Sequence, residues 1–122
     1  MPRVNHFEIK ADNPDSLVEF YGEIFGWEFM KWSGPVDYWM IKTGEEDEPG
    51  IDGGLSKKGE QSSPAQNTIS VPSVERFAEK IKERGGEIIT PKMTITGVGY
   101  LLYFRDPEGN VFGIMEDDKS AL

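Results

Sequence analysis

The feature that most constrains this chain is that it is written twice. Laying residue n over residue n+60 puts Ile9 on Ile69, Leu17 on Phe77, Glu19 on Glu79, Tyr21 on Ile81, Glu23 on Glu83 and Gly26 on Gly86. The same shift puts Ile51 on Val111, Gly53 on Gly113 and Leu55 on Met115. Identities are few, but residue class is kept from the first strand to the last. A spacing this long exceeds most solenoid repeats, so the reading is one domain, residues 1–122, built of two modules. Module one covers about 1–58, a linker about 59–65 and module two about 66–122. The polar run "LSKKGEQSSPAQ" supplies the connection.

Each copy reads as βαβββ. "VNHFEIKA" alternates, with Phe7, Ile9 and Ala11 on one face and His6, Glu8 and Lys10 on the other. "NPDSLVEFYGEIFG" follows as a helix, with Asn13 as N-cap and Pro14 at its first position. Leu17, Phe20, Tyr21, Ile24 and Phe25 form its apolar stripe, and Gly26 ends it. "WEFMKW", "YWMIKTG" and "GIDGGLS" are the next strands. In the second copy "NTISV" is the strand, and Ser73 caps a helix carrying Val74, Phe77, Ala78 and Ile81 that Gly85-Gly86 stops. "EIITPKMTI", "GYLLYFR" and "NVFGIM" complete it.

A helix must bury its stripe on a sheet, so Phe7, Ile9, Ile69 and Val71 should face the helices. His6, Glu8 and Lys10, with Gln66, Thr68 and Ser70, then share the opposite faces. The last strand carries Phe112 and Ile114 on one side and Val111, Gly113 and Met115 on the other. An apolar second side argues for a covered, cavity-forming face over a solvated one. Glycine inside that strand points the same way, because it marks a bulge or the close approach of a ligand or backbone.

The paired βαβββ pattern, "FYGEIFGW" after the first helix, the second helix's Gly-Gly stop and the closing "FRDPEGNVFGIME" resemble the vicinal oxygen chelate superfamily. That group contains glyoxalase I, bleomycin-resistance proteins, extradiol dioxygenases and fosfomycin-resistance enzymes. The resemblance implies an α+β fold: a half-open, eight-stranded barrel-like sheet with helices outside and a ligand cavity between the modules. It also implies a divalent metal held from the first and last strands of each module, at places that fall here on His6, Gly53, Gln66 and Gly113. Two of those four are glycines. His6 and Gln66 alone offer two neutral donors, and a hard ion needs several donors and anionic charge. Glu8, two residues along the same face, is the candidate to rescue the site as ligand or base, although pairing with Lys10 is its plainer role.

Other chemistries find little support. A net charge of −9 leaves no basic stripe for nucleic acid, and suits a cationic ligand. There is no cysteine, which removes disulfides and thiolate chemistry. His6 is the only histidine and no serine sits in a nucleophile elbow. "GVG" and "GIDGG" are too short for phosphate loops, and "TGEEDEPG" reads as a solvated hairpin tip. No stretch reads as a signal peptide or a membrane span, so the expected setting is cytoplasmic.

The expectation is a glyoxalase- or bleomycin-resistance-like protein that binds a small molecule in its cavity without a firm cofactor, a weak divalent metal at most. The second reading is a glyoxalase-like lyase or isomerase with a degenerate metal site at His6 and Gln66 and Glu8 as its catalytic group. The cavity set is His6, Glu8, Gln66, Thr68, Trp39, Tyr100, Tyr103 and Gly113, and the resemblance implies a homodimer.

Overall fold

The computed structural model describes residues 2–58 and 65–122. The first half contains β1 (Arg3–Ala11), α1 (Pro14–Phe25), β2 (Glu28–Lys31), β3 (Tyr38–Lys42) and β4 (Asp52–Lys57). The second contains β5 (Ala65–Ser70), α2 (Val74–Glu83), β6 (Glu87–Ile88), β7 (Met93–Ile95), β8 (Gly99–Arg105) and β9 (Val111–Asp117). The fold class is α+β, with βαβββ in the first half and the same pattern with its second strand split in two, as β6 and β7, in the second. The expected linker lies outside the described residues, apart from Ala65, which opens β5. By their contacts the residues fall into two compact units, one of residues 6–66 and one of residues 67–122 together with 1–5.

In the unit of residues 6–66 the strands run in the order β2-β3-β4-β1, with β1 parallel to β4 and the other pairs antiparallel. Side chains alternate across a sheet, so the register sorts them into rows. Phe29, Ile41, Gly53 and Phe7 form one row, and Lys31, Trp39, Leu55 and Ile9 another. These two rows face α1: Ala11, Trp39, Ile41 and Leu55 are buried, with Phe7, Ile9, Leu17, Val18, Trp27 and Phe29 packed against them. Leu55 is fully inaccessible, and burying a leucine contributes about 2–3 kcal/mol.

The expected stripe of α1 is only partly correct. Leu17 turns into the core, but Phe20, Ile24 and Phe25 are exposed and no α1 residue is fully buried. The reason lies in the aromatic cluster at the helix end. Trp27 stacks on Tyr21 with ring centroids 5.2 Å apart and tilts against Phe7 and Phe25. Its indole packs against the core on the sheet side, while Phe25 lies on its outer side and stays exposed. Asn13 stands at the N-cap position, but its side chain makes no capping hydrogen bond.

In the other unit the order is β5-β9-β8-β6, with β7 also on β8. The core is Val71, Val74, Ala78, Leu102 and Ile114, flanked by Ile69, Phe77, Ile81, Ile88, Tyr100 and Phe104. Phe7 and Ile69 both face the helix side, as their alternation requires. α2 is capped twice, by Ser73 Oγ accepting from Arg76 N at 3.3 Å and by Glu116 Oε1 accepting from Val74 N at 3.0 Å. The expected single strand "EIITPKMTI" is broken into β6 and β7. Pro91 has no N–H for a ladder, and Thr90 Oγ1 accepts the Tyr103 N–H at 3.0 Å within the break.

The repeat itself needs a correction. Its shift is 60 at the first strands and helix starts, where Pro14 matches Val74. It is 59 from the helix ends onward. Gly26 and Gly85 hold the left-handed turns, with φ of 72° and 92°. On the last strands Leu55 lies opposite Ile9 and Ile114 opposite Ile69. The counterpart of Gly113 is therefore Gly54, not Gly53.

Candidate functional site

The polar face of the first unit is set by the rows that point away from α1. One row is Met30, Met40, Gly54 and Glu8. The next aligned row holds Tyr38, Ser56 and Lys10, and Trp32 joins it by donating its N–H to the Tyr38 carbonyl at 2.8 Å. A third places His6 opposite Asp52 and Lys42 opposite Glu28. At this outer edge the carboxylates of Glu45 and then Glu28 hold the Lys42 ammonium charged, raising its pKa.

Glu8 is the centre of this face. It is 7 % exposed, and a carboxylate so placed needs hydrogen bonds to offset lost hydration. Its Oε2 accepts from His6 Nε2 at 2.5 Å and from the Tyr38 hydroxyl at 2.8 Å. Its Oε1 stands 3.9 Å from Lys10 Nζ, which donates to Ser56 Oγ at 2.9 Å. Pairing with Lys10, the role expected from spacing, is thus the longest of Glu8's contacts.

Gly54 explains how the network fits. A Cβ built there would lie 1.8 Å from the Tyr38 hydroxyl and 2.4 Å from Glu8 Oε2. The space beside Glu8 that a side chain at 54 would fill belongs to the Tyr38 phenol. Gly53, the expected position, points to the other side, where a Cβ would meet the Phe7 ring at 2.6 Å.

In the other unit Thr68, Tyr103 and Gly113 come together, with Gly113 opposite both. A Cβ at 113 would lie 3.1 Å from the Tyr103 ring and 3.3 Å from Thr68 Oγ1. Thr68 is buried, and Gln66 lies half-buried two residues earlier on the same strand face. Two expected cavity residues are elsewhere. Trp39 is buried in the core under α1. Tyr100 packs on the α2 core and donates to Asp118 Oδ2 at 3.4 Å, so Tyr103 is the tyrosine of that strand on the Gly113 face.

Sequence reasoning missed Tyr38, Gly54, Ser56 and the positioning of Lys10. The signal was present in the parity of "YWMIK" against "DGGLS": once Trp39 and Leu55 are assigned to the core, Tyr38, Met40, Gly54 and Ser56 must face the other way. A groove of about 520 Å³ also runs between α2 and the strand β6–β8 region, past Ala78, Ile88 and Leu102. It lies on the helix side, and Lys92 closes on Glu75 across it at 2.7 Å, a hydrogen bond that lowers the Glu75 pKa. Among the described residues no three His, Cys, Asp or Glu side chains converge, and no helix is long and apolar enough to cross a membrane.

A sequence profile of the Glyoxalase/Bleomycin resistance protein/Dioxygenase superfamily matches residues 3–114. No curated protein matches. Among solved structures, a hypothetical protein from Bacillus halodurans has a TM-score of 0.75 at 15% identity, covering 99% of this chain and 98% of that one. The methylmalonyl-CoA epimerase of Mycobacterium tuberculosis has a TM-score of 0.71 at 12% identity, covering 94% and 87%. A variant of the Streptomyces coelicolor methylmalonyl-CoA epimerase in complex with 2-nitronate-propionyl-CoA has a TM-score of 0.72 at 17% identity, covering 98% and 97%. At these identities the likeness is one of fold.

Proposed function

The chain belongs to the Glyoxalase/Bleomycin resistance protein/Dioxygenase superfamily, and on that premise we propose that it binds a small molecule over Glu8 without a tightly held divalent metal. The observation that carries this reading is the Tyr38 hydroxyl in the space of a side chain at Gly54. The donor set does not fit a hard ion. Gly54 and Gly113 bring no donor, and His6 Nε2 is directed at Glu8 Oε2, so one imidazole and one carboxylate bond each other. An ion would have to break that bond and the Tyr38 contact with few anionic ligands to offset its own dehydration. A concave apolar surface with a few fixed polar groups is the usual small-molecule site. Exposed Met30, Trp32 and Met40 beside buried Glu8 supply the apolar surface and the fixed polar group of such a site.

A second reading is favoured by the burial of Glu8. With Oε2 held by His6 and Tyr38, Oε1 is the oxygen left for proton transfer, as a lyase or isomerase would need. Here Glu8 takes a proton from a bound C–H and returns it, while His6 and Tyr38 fix the carboxylate. The epimerase names of the solved neighbours agree with such chemistry but are a likeness of fold. The expected homodimer remains a proposal, supported by the exposed Phe20, Ile24 and Phe25 of α1 and open to light scattering.

Thermal melts test the first reading. A metal at 100 times its dissociation constant stabilises by about 2.7 kcal/mol, roughly 10 °C for a chain of this size. With ~1 mM nickel, zinc or manganese we expect a far smaller shift, and ligands found in a small-molecule melt screen should lose affinity in Glu8→Gln. A large metal-dependent rise that His6→Ala removes would overturn the metal-free reading. Deuterium exchange into a hit's C–H, lost in Glu8→Gln, would make the proton-transfer reading the leading one.

A further inference from the structure

We infer that Lys10 and Ser56 form an oxyanion subsite beside Glu8, and that the ligand joins an oxyanion to an apolar body. The inference rests on the binding reading above and names its ligand class. Lys10 and Ser56 are direct partners across β1 and β4, and the Lys10 side chain is only 17 % exposed. An ammonium has three N–H donors. One goes to Ser56 Oγ at 2.9 Å. Glu8 Oε1, the ion-pair partner of Lys10 among the described residues, stands at 3.9 Å, beyond hydrogen-bond range.

Glu8 meets its own needs elsewhere, through His6 and Tyr38 on Oε2. Lys10 is therefore paired in charge with Glu8 but hydrogen-bonded only through Ser56, with two N–H directions left for a ligand or water. A charge so placed is costly unless paired and hydrogen-bonded. An oxyanion arriving over β1 and β4 completes that shell, with Ser56 as a second polar contact. A cationic ligand would instead meet the ammonium. The net charge of −9, which in the sequence suits a cation, lies partly in the exposed loop of Glu45, Glu46, Asp47 and Glu48, away from this row. Local sign outweighs global sign at contact distance, because charges beyond about 10 Å are screened by salt.

The apolar body follows from the rest of the two rows. Tyr38 and Trp32 continue the row of Lys10 and Ser56, and Met40 and Met30 continue that of Glu8. Trp32, Met40 and Met30 are 42%, 45% and 65% exposed. From β1 to β2 is three strand spacings, roughly 14 Å. A ligand with its oxyanion at Lys10 can lay an aliphatic or aromatic body of ~10 Å along them.

NMR titration of the whole chain with octanoate, octyl phosphate, octanol and octylamine, at matched concentrations below micelle formation, tests this. The anions should shift the Lys10 and Ser56 amides and the Trp32 indole, and bind about tenfold tighter than octanol, with octylamine weakest. The order of octanoate and octyl phosphate then identifies the oxyanion. Lys10→Gln should abolish the preference and Lys10→Arg retain it, in variants whose melts show them folded. Equal binding of octanol and octanoate, or a preference that survives Lys10→Gln, overturns the subsite and leaves the binding reading standing. Silence from all four probes overturns the subsite, and a melt-screen hit still lost in Glu8→Gln would then show that the binding reading stands without it.

Discussion

The two modules share glycines at their helix ends and in their last strands but carry different chemistry on their non-helical faces. In the first, Gly54 sits under a charged network of His6, Glu8, Lys10 and Tyr38. In the second, Gly113 sits under a threonine and a tyrosine ring, with Thr68 where the first has Glu8. The difference shows that a glycine in a strand can have two meanings. Gly54 is required by a neighbour already occupying its side-chain volume, whereas Gly113 lies against neighbours that would have to give only slightly. The helices divide in the opposite sense. α2 is capped by side chains and buries Val74 and Ala78, while α1 has no side-chain cap and leaves three large apolar residues exposed.

The largest contrast should come from alanine at the two glycines. Neither has a positive φ, so the backbone accepts the change at both. Gly54→Ala must push the Tyr38 phenol off Glu8, and overpacking of this kind costs about 1–3 kcal/mol. Gly113→Ala requires its neighbours to give by a few tenths of an ångström. Lower chain entropy in the unfolded state offsets that, leaving stability within about 0.5 kcal/mol of the parent. Urea melts of the two variants would decide, and equal losses would erase the distinction between the glycines.

A smaller effect separates the helices. Ser73→Ala removes the hydroxyl that accepts from Arg76 N and should cost about 1 kcal/mol. Asn13→Ala should cost a few tenths at most, since Asn13 has no side-chain capping bond to lose. If the two lost the same amount by urea melt, capping would not distinguish α2 from α1.

The smallest effect lies in the turns before the last strands. Asp106 accepts from the N–H groups of Glu108 and Asn110 and from the Asn110 side chain, all at 2.9 Å. The Asn110 bonds lead in holding its pKa below the usual carboxylate value. A depressed folded-state pKa gives stability that is present above the unfolded value of about 3.9 and lost as pH falls through the folded one. Melting temperature should therefore drop a little more steeply below pH ~4 in the parent than in Asp106→Asn. Identical acid limbs for the two proteins would rule this out.

What the sequence disclosed was whatever alternation could carry. Phe7, Ile9, Ala11 and Ile69 declared the helix side, and the strands followed except "EIITPKMTI", which is split into β6 and β7. The site was half legible for the same reason: His6 and Glu8 lie on an alternating strand, so their shared face was readable. Tyr38 and Trp39 lie in "YWMIK", where both faces carry large side chains, and the core claimed Trp39 through contacts made far away in the chain. Gly53 and Gly54 are adjacent and without side chains, so nothing local says which one faces Glu8. Exposure of Phe20 and Phe25 was hidden too, because the helical spacing that marks an apolar stripe does not say that Trp27, beyond the helix, joins the core in that region.

The change of shift from 60 to 59 falls in the helix, and the turn at Gly26 and Gly85 takes it up. A strand that gained or lost one residue would turn every side chain over and put the core in water. A helix can change by one residue and re-enter the sheet in phase, provided that a left-handed glycine resets the chain direction. The junction therefore behaves as a splice point. A chimera that carries one module's first strand and helix into the other's sheet keeps its parity when cut at the glycine, and inverts its core when cut by counting sixty.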